Sequence, residues 1–307
     1  MIRIGTRGSR LALWQAHYVA DRLQRDGFAT EIITISTKGD QRQEVSIAEI
    51  GTQGVFTQEI EAQLRARTID VAVHSAKDLP SELPDAFEII AFTERAPAAD
   101  VLLSHHNLPA LTASSSWTVG TSSARRRALL HHYYPALKTV DMRGNLQTRV
   151  AKMQAGHCDA LMLAFAGVHR MDYDHLIRHE FSLSQIVPPV GQGSIAVEVL
   201  RTLDSDQKER LRQSINHPAA AYRLHAERAF LRTLRGGCSI PTFAHATLHE
   251  NQLHLRGGVV SLDGQQLVVD QVAGAPEIAE TLGDQLAQRV LRRGGEQILA
   301  DIRTQSS

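Results

Sequence analysis

The sequence predicts an α/β protein of two similar lobes followed by a small α+β domain. In the first two thirds of the chain, short segments rich in Ile, Val and Thr alternate with longer helical patterns, which is typical of βαβ units and parallel sheets. The last third contains alternating segments separated by hairpin-turn signals. With 307 residues, 43% of them hydrophobic, the chain is long enough for two or three packed cores.

The first lobe begins with a strand at MIRIG, followed by a helix from about Ser9 to Arg25. Within that helix Leu11, Trp14 and Tyr18 recur at helical spacing. TEIITIST is the next predicted strand, a helix is expected from Phe56 to Arg67, and DVAVHS and FEIIAFTE are two further strands.

The second lobe follows a linker or hinge at RAPAAD, residues 95–100. Its strand candidates are DVLLSH, WTVGTS, LKTVDM and CDALMLAF, with helices between them. The chain then breaks at PPVGQGS, and a strand and a helix from Ser205 to Ile215 are predicted to return to the first lobe. We therefore expect domain 1 to be discontinuous, residues 1–94 and 195–214, and domain 2 to span residues 99–189.

Domain 3, residues 218–307, is predicted to begin with a long helix from Pro218 to Leu234. Hairpin turns are expected at Glu250-Asn251 and at Asp263-Gly264, which gives a small antiparallel sheet. The end of the chain, Pro276 to Ile302, is predicted to be helical.

Composition and charge exclude several classes of protein. Lys plus Arg and Asp plus Glu both number 33, so no global basic field exists to attract nucleic acid, and any anion site must be local. The longest apolar run, ALMLAFAGV, is far shorter than the roughly 20 residues that a membrane-spanning helix needs. The N-terminus has no apolar stretch that fits a secretion signal, and we expect a cytosolic protein. The 15 histidines show no spacing typical of metal catalysis, so no metal site is predicted.

Arginines at three predicted strand-to-helix turns are the first sign of a binding site. Arg7 precedes a helix whose expected N-cap is Ser9, Ser123 opens the helix that carries Arg125 and Arg126, and the third turn holds Arg143 and Arg149. In open α/β sheets, ligands bind beyond the carboxyl ends of the strands. The repetition of arginines at these turns predicts that a polyanion binds in the cleft between the lobes, and carboxylates are suitable partners for guanidinium groups.

Ordinary structural explanations exist for each feature taken alone. An arginine run such as 125–127 is most often a solvated helix face, and a serine before a helix is most often only a cap. HSAKDLP places His74, Lys77 and Asp78 just beyond a strand. There a carboxylate beside cations would stay ionised, although a surface Lys-Asp pair is the more common case.

The two cysteines receive different interpretations. Cys238, in the glycine-rich segment LRGGCSIP, is a candidate nucleophile or attachment point for a covalent group, although a buried unreactive cysteine is the commoner case. Cys158 is interpreted as such a buried thiol.

Nine collinear segments resemble the porphobilinogen deaminase (hydroxymethylbilane synthase) family along nearly the whole chain. They are RIGTRGSRLALWQA, TKGD, VAVHSAKDLP, VGTSSARRRALL, MRGNLQTR, DALMLAFAGVHR, PPVGQGSIAVE, AERAFLRTLRGGC and Pro241. The resemblance implies two α/β domains like type II periplasmic binding proteins, plus a small C-terminal α+β domain with an antiparallel sheet. It also implies a monomeric transferase of tetrapyrrole and haem biosynthesis that joins four porphobilinogen molecules head to tail and releases ammonia.

The resemblance further implies the roles of individual residues. A dipyrromethane cofactor is expected on Cys238 through a thioether, and Asp78 matches the catalytic aspartate that stabilises positive charge as ammonia leaves. The expected cofactor-binding residues are Lys77, Asp78, Ser123, Arg125, Arg126, Arg143 and Arg149, and the expected substrate-binding residues are Arg7, Ser9 and Arg170.

Some positions depart from the family pattern. The segment GTQGVFTQEIE has Gln53 and Gln58 where the family's glycine-rich lid usually has lysines, with Glu49 shortly before. Arg235 stands where the family commonly has an acidic residue, and Phe243 stands where it commonly has glycine. The lid changes favour a second hypothesis, a non-catalytic protein that binds a carboxylated ligand. A nucleic-acid-binding role is a third, to which the zero net charge and 5% aromatic content run counter.

Overall fold

The computed structural model describes residues 1–37, 57–237 and 240–305. Within these ranges the chain forms two lobes, each built on a five-stranded sheet, and a third domain with a three-stranded sheet. The predicted architecture of two α/β lobes and a C-terminal α+β domain is therefore confirmed. The exact domain boundaries given above stay a prediction.

The strands of the described ranges are β1 (Ile2–Arg7), β2 (Thr30–Ile35), β3 (Val71–Ser75), β4 (Phe87–Phe92), β5 (Asp100–Leu103), β6 (Thr118–Gly120), β7 (Lys138–Val140), β8 (Ala160–Ala164), β9 (Ile177–Glu180), β10 (Ile195–Leu200), β11 (Thr242–His249), β12 (Gln252–Val260) and β13 (Leu267–Gly274). The α-helices are α1 (Arg10–Arg25), α2 (Gln58–Arg65), α3 (Ala124–Tyr133), α4 (Leu146–Gln154), α5 (Phe165–Arg170), α6 (Ser205–Ile215), α7 (Pro218–Thr233), α8 (Ala279–Val290) and α9 (Glu296–Gln305). Short 3₁₀ turns span Ala76–Asp78, Asp174–Leu176 and Pro276–Ile278, and a π-type segment, Leu291–Gly295, separates α8 from α9.

The two large sheets have equivalent strand orders, β2-β1-β3-β10-β4 and β7-β6-β8-β5-β9. The sheets are mixed, not purely parallel, because β10 is antiparallel to β3 and β4, and β5 is antiparallel to β8 and β9. Both exceptions are strands where the chain enters a sheet from the other lobe. Neither is reached by the βαβ crossover that keeps consecutive strands parallel.

Both lobes bury apolar strands against helices, as the sequence pattern predicts. In the first lobe Ile4, Val73 and Val197 pack with Val19 and Leu23 of α1. The predicted return crossing is confirmed, since β10 lies between β3 and β4, and α6 adds to the same core. None of the helices in the described ranges is long and apolar enough to cross a membrane.

The third domain is an antiparallel sheet, β11-β12-β13, covered on one face by helices. The predicted hairpin turns are present: Glu250 and Asn251 have φ of 47° and 59°, and Gly264 has φ of 76°. α7 and α8 cross closely at Gly283, where an added Cβ would lie only 2.3 Å from the carbonyl oxygen of Ala226.

The third domain also packs against the second lobe. Phe243 and Val260 share an apolar cluster with Leu129 of α3. At the β12–β13 hairpin, His132 Nδ1 lies 2.8 Å from the carbonyl oxygen of Gly264. The departure at Phe243 is thus accommodated by burial in an interdomain core.

Candidate active site

The predicted binding residues lie at five junctions where a strand of one of the two lobes ends. These junctions follow β1, β3, β6, β7 and β8. The lobes meet there, because Arg170 of α5 lies over the ring of Trp14 of α1, with its guanidinium carbon 5.0 Å from the ring centroid. We call the space bounded by these junctions the cleft.

Three helices open onto the cleft with side-chain caps. Ser9 accepts a hydrogen bond from the backbone N–H of Ala12 (3.3 Å), and Ser123 accepts one from Arg126 N–H (3.4 Å). Asn145 accepts one from Thr148 N–H (2.9 Å). The capping interpretation of Ser9 and Ser123 is confirmed, and the remaining free N–H groups of each first turn favour anions nearby.

Lys77 and Asp78 lie together in the 3₁₀ turn that follows β3. Both are half-buried, and Lys77 Nζ is 3.5 Å from Oε1 of Gln192. Burial lowers the pKa of Lys77 to about 8; Asp78 acts to raise this pKa and Arg126 to lower it further. Lys77 is therefore a cation at neutral pH whose charge is lost only slightly above it.

Arg125 and Arg126 enclose the fully buried carboxylate of Asp100. Arg126 donates to Oδ1 from Nε (3.1 Å) and Nη2 (2.7 Å), and Arg125 donates to Oδ2 from Nη2 (2.5 Å). Burial acts to raise the pKa of Asp100, but the two guanidinium groups outweigh it and hold the pKa well below its ordinary value. The solvated-face interpretation of the arginine run is wrong for these two residues and fits Arg127, which is exposed.

The other half-buried arginines of the second lobe extend the positive character of the cleft. Arg149 donates from Nε to the carbonyl oxygen of Gly144 (2.7 Å), and its Nη groups make no hydrogen bond to the described residues. Burial lowers the pKa of Arg149 to about 10, Arg126 lowers it further, and Asp78 of the other lobe acts to raise it. Arg143 donates from Nε to Asp141 (2.8 Å).

Arg170 connects the second lobe to α1 and to residues 188–194, the crossing segment that leads back into β10 of the first lobe. Its Nη2 donates to the carbonyl oxygen of Gly193 (2.8 Å), and burial lowers its pKa to about 10. Trp14 stacks in turn on Tyr18, with ring centroids 5.6 Å apart. Arg7, the last residue of β1, is half-buried at the same edge of the first sheet.

Among the described residues of the cleft, cations therefore outnumber carboxylates. Arg126 influences the pKa of both Lys77 and Arg149, Arg149 influences that of Lys77, and Asp78 influences both. A site of this kind binds molecules that carry several carboxylates, and Asp78, a half-buried carboxylate between the lobes, can stabilise a cation that develops during a reaction.

Two residues of this region were missed by sequence reasoning. Asp100 was interpreted only as the start of a strand, and Gln192 only as part of a chain break. The Gln192 side chain is fully buried and donates from Nε2 to the carbonyl oxygen of Ala98 (2.7 Å) and to Asp100 Oδ1 (3.0 Å). The available signal was a glutamine between two glycines, since Gly191 and Gly193 both have positive φ.

Glu227 of α7 is a further buried group that the sequence did not reveal. It forms an ion pair with Arg95 of the interlobe linker and accepts N–H bonds from Gly191 (2.9 Å) and Ala246 (2.7 Å). This fully buried carboxylate joins the linker, the crossing segment and the third domain at one point.

Several predicted residues lie elsewhere or outside the described ranges. Cys238, Gln53 and Glu49 are not among the described residues, whereas Gln58 is the exposed first residue of α2. Arg235 is exposed. His74 is buried within β3, with Nε2 3.0 Å from Glu198 Oε2, so it belongs to the core of the first lobe.

The predicted burial of Cys158 is confirmed, and burial raises the pKa of its thiol to about 11. Such a thiol stays protonated and poorly nucleophilic at neutral pH. In the described part of the chain, no group of three His, Cys, Asp or Glu side chains could hold a metal ion.

Comparison with known proteins gives two family matches that together span most of the chain. Residues 2–209 match the family described as "Porphobilinogen deaminase, dipyromethane cofactor binding domain", and residues 221–292 match "Porphobilinogen deaminase, C-terminal domain". A protein of Desulfosudis oleivorans named porphobilinogen deaminase is 53% identical over 307 residues, covering 100% of this chain and 99% of the relative. One of the same name from Cytophaga hutchinsonii is 49% identical over 302 residues, covering 98% and 97%.

Similar solved structures are more distant. The periplasmic VFT2 domain of Bordetella pertussis BvgS has a TM-score of 0.43 and 16% identity, covering 69% of this chain and 86% of its own. A periplasmic substrate-binding protein of an ABC transporter from Coxiella burnetii has a TM-score of 0.42 and 14% identity, covering 72% and 94%. Similarity at this level supports no statement about activity.

Proposed function

The chain belongs to the porphobilinogen deaminase family, and on that premise we propose that it is a hydroxymethylbilane synthase. This transferase joins four porphobilinogen molecules head to tail, releases ammonia at each step and supplies hydroxymethylbilane for haem biosynthesis. The observation that carries the proposal is the placement of Asp78 among Lys77, Arg126 and Arg149 at the boundary between the lobes.

The charges of the cleft suit both the substrate and the chemistry. Each pyrrole of the proposed substrate carries two carboxylates, and guanidinium groups bind carboxylates through paired hydrogen bonds. Arg149 has Nη donors that the described residues leave unused. Arg149 and Lys77 would bind and orient the acidic arms, so that the reacting carbon lies near Asp78.

Asp78 would act on the part of the reaction that develops positive charge. Departure of ammonia leaves a cationic pyrrole, and a fixed carboxylate nearby stabilises that cation more strongly in a partly buried site than in water. The same carboxylate would accept and return a proton at the pyrrole nitrogen.

The residues also fit the dipyrromethane cofactor that the family implies. When bound, this group supplies the pyrrole terminus to which new units are joined. Its carboxylates would be held by Lys77, Arg143 and Arg149 and by the capped turn at Ser123, with attachment at Cys238. We assign Arg125 and Arg126 an indirect role, because Asp100 accepts hydrogen bonds from both. Their Nη1 groups donate to the carbonyl oxygens of Val187 (2.9 Å) and Met162 (3.1 Å).

Turnover of porphobilinogen by the purified protein tests the proposal. We expect Asp78→Asn to lower kcat at least a hundredfold, since general acid–base catalysis typically contributes 10²–10⁴-fold. Asp85→Asn is the matched control, because Asp85 is an exposed carboxylate of the same lobe outside the cleft. If the unmutated protein bound porphobilinogen without turning it over, the hypothesis of a non-catalytic binding protein would be favoured instead.

The mass of the denatured protein tests the cofactor separately. We expect an excess equal to two linked pyrroles over the mass calculated from the sequence, and no excess in Cys238→Ala. An unmodified protein that gains this mass on incubation with porphobilinogen would be the apoprotein. One that never gains it would contradict the attachment.

We also propose that the enzyme acts as a monomer in the cytoplasm, with neither nucleic acid nor membrane as a partner. The family resemblance supports this setting. Sedimentation at several protein concentrations would show a single species of about 34 kDa, calculated from the 33.8 kDa chain.

A further inference from the structure

An open groove of about 470 Å³ lies on the outer face of the three-stranded sheet. Strand register explains its floor. His245, Arg256 and Gln271 are neighbours in one row across β11, β12 and β13, and the next row on the same face contains His254 and Ala273. We call this surface the sheet groove.

The second lobe covers only part of this sheet face. The preceding row contains Phe243 and Val269, which pack in the apolar cluster shared with α3. Beyond them the face is open, and the loop after β9 closes one side through Leu183 and Ser184. The sheet groove is therefore a recess between two domains and shares no lining residue with the cleft.

The lining of the sheet groove combines some apolar surface with positive charge. Leu183 and Ala273 supply apolar side chains, and Arg256 and Arg289 supply guanidinium groups. Leu255 and Val272, at the alternate register positions, pack on the opposite face against the helices. Of the residues that the structure describes, no acidic side chain lines the groove.

The groups around the sheet groove leave a net positive charge. The nearest ion pairs join Asp270 to Arg289 (3.1 Å) and to Arg293 (3.2 Å), so one carboxylate faces two cations. Burial lowers the pKa of His245 to about 4, and this imidazole is neutral at pH 7.

Arg256 has hydrogen-bonding capacity that the described protein does not use. Its Nη2 donates to the carbonyl oxygen of Ser184 at 3.3 Å, and its Nε is buried without a partner. A buried N–H group without an acceptor is costly, so an acceptor that reached this guanidinium would be favoured. Arg289 is about half exposed, with 51% of its side-chain surface accessible.

We propose that the sheet groove binds a small, flat molecule with carboxylate arms, an aromatic body of one or two rings. The ring would lie against Leu183 and Ala273, and the carboxylates would pair with Arg256 and Arg289. The volume falls within the 300–1,000 Å³ typical of small-molecule sites, which are mostly apolar with a few convergent polar groups. Occupancy would be independent of the cleft.

Binding of indole-3-propionate to the full-length protein tests this inference. Its uncharged relative, indole-3-propanamide, controls for the carboxylate. We expect the acid to cause a saturable shift of the His254 imidazole signal in an NMR spectrum of histidine-labelled protein, assigned with His254→Gln. The amide should bind at least tenfold more weakly.

Paired variants locate the site. Arg256→Met and Arg289→Met should each weaken binding at least tenfold, whereas Arg293→Met should leave it unchanged, because Arg293 contacts the same Asp270 but does not line the groove. If Arg256→Met fails to fold, the half-exposed Arg289 carries the comparison with Arg293.

Four results would overturn the inference. They are equal binding of acid and amide, no saturable shift at millimolar concentrations of the acid, loss of binding in Arg149→Met alone, and self-association that masks His254. The third would place the probe in the cleft, and the fourth would assign the sheet groove to a second copy of the chain.

Discussion

Replacing Asp100 by alanine should destabilise the protein more than any exposed charge substitution. The carboxylate accepts hydrogen bonds from Arg125, Arg126 and Gln192 and is fully buried. Its removal leaves two buried guanidinium groups without their counter-charge, and breaking a buried pair in this way costs about 3–5 kcal/mol. We therefore expect Asp100→Ala to lower the free energy of unfolding by about that amount.

The dependence of this loss on pH gives a second, independent magnitude. The pKa of Asp100 is depressed in the folded protein, so its contribution to stability is complete above the unfolded pKa of 3.8 and declines as the pH falls below it. With an unfolded pKa of 3.8, a carboxylate that remains ionised in the folded protein contributes about 1 kcal/mol less to the free energy of unfolding at pH 3 than at pH 5. The difference between wild type and variant should shrink by this amount.

Urea unfolding at pH 7, 5 and 3, followed by circular dichroism, measures both quantities. Glu209→Ala is the control, since Glu209 pairs with Arg212 on the exposed surface of α6. That variant should unfold like the wild type. A loss below about 1 kcal/mol for Asp100→Ala, or a difference that stays constant from pH 5 to pH 3, would refute the buried-charge reasoning.

Three other predictions concern the cleft. Because the pKa of Lys77 is about 8, its ammonium group is present below that pH and lost above it. The affinity for porphobilinogen, measured by a binding titration, should therefore fall as the pH rises through 8. Lys77→Arg should remove most of this pH dependence. Trp14→Leu should raise KM about two- to fivefold with little change in kcat, since an exposed contact such as that between Trp14 and Arg170 contributes about 0.5–1 kcal/mol, and an unchanged KM would argue against it. Gly191→Ala should reduce both stability and turnover, because the added Cβ would lie 2.8 Å from the backbone of the turn that carries Lys77. The control is Gly27→Ala, where φ is similar but the surrounding space is open; its free energy of unfolding should fall by only roughly 1 kcal/mol in the same urea assay.

Local patterns predicted the secondary structure well. The helix Ser205–Ile215 has the predicted bounds, and Ser9 caps α1 as expected. The two hairpins contain Asn251 and Gly264, residue types that favour positive φ. These features depend on interactions between residues a few positions apart, and their signal is therefore contained in short stretches of sequence. The helix predicted from Phe56 to Arg67 spans Gln58–Arg65; Phe56 lies outside the described residues, and the C-terminal end differs because helix ends are only weakly marked.

The sequence by itself determined the family, the two-lobed architecture and the residue types that surround the cleft, because these follow from motifs and periodicity. Only the tertiary structure decided which charges meet. Asp100 reaches Arg125 across 25 positions and Gln192 across 92. The antiparallel direction of β5 and β10 was likewise decided by how the chain passes between lobes. Such pairings depend on long-range packing and on which groups become buried together, and no local pattern of residues encodes them.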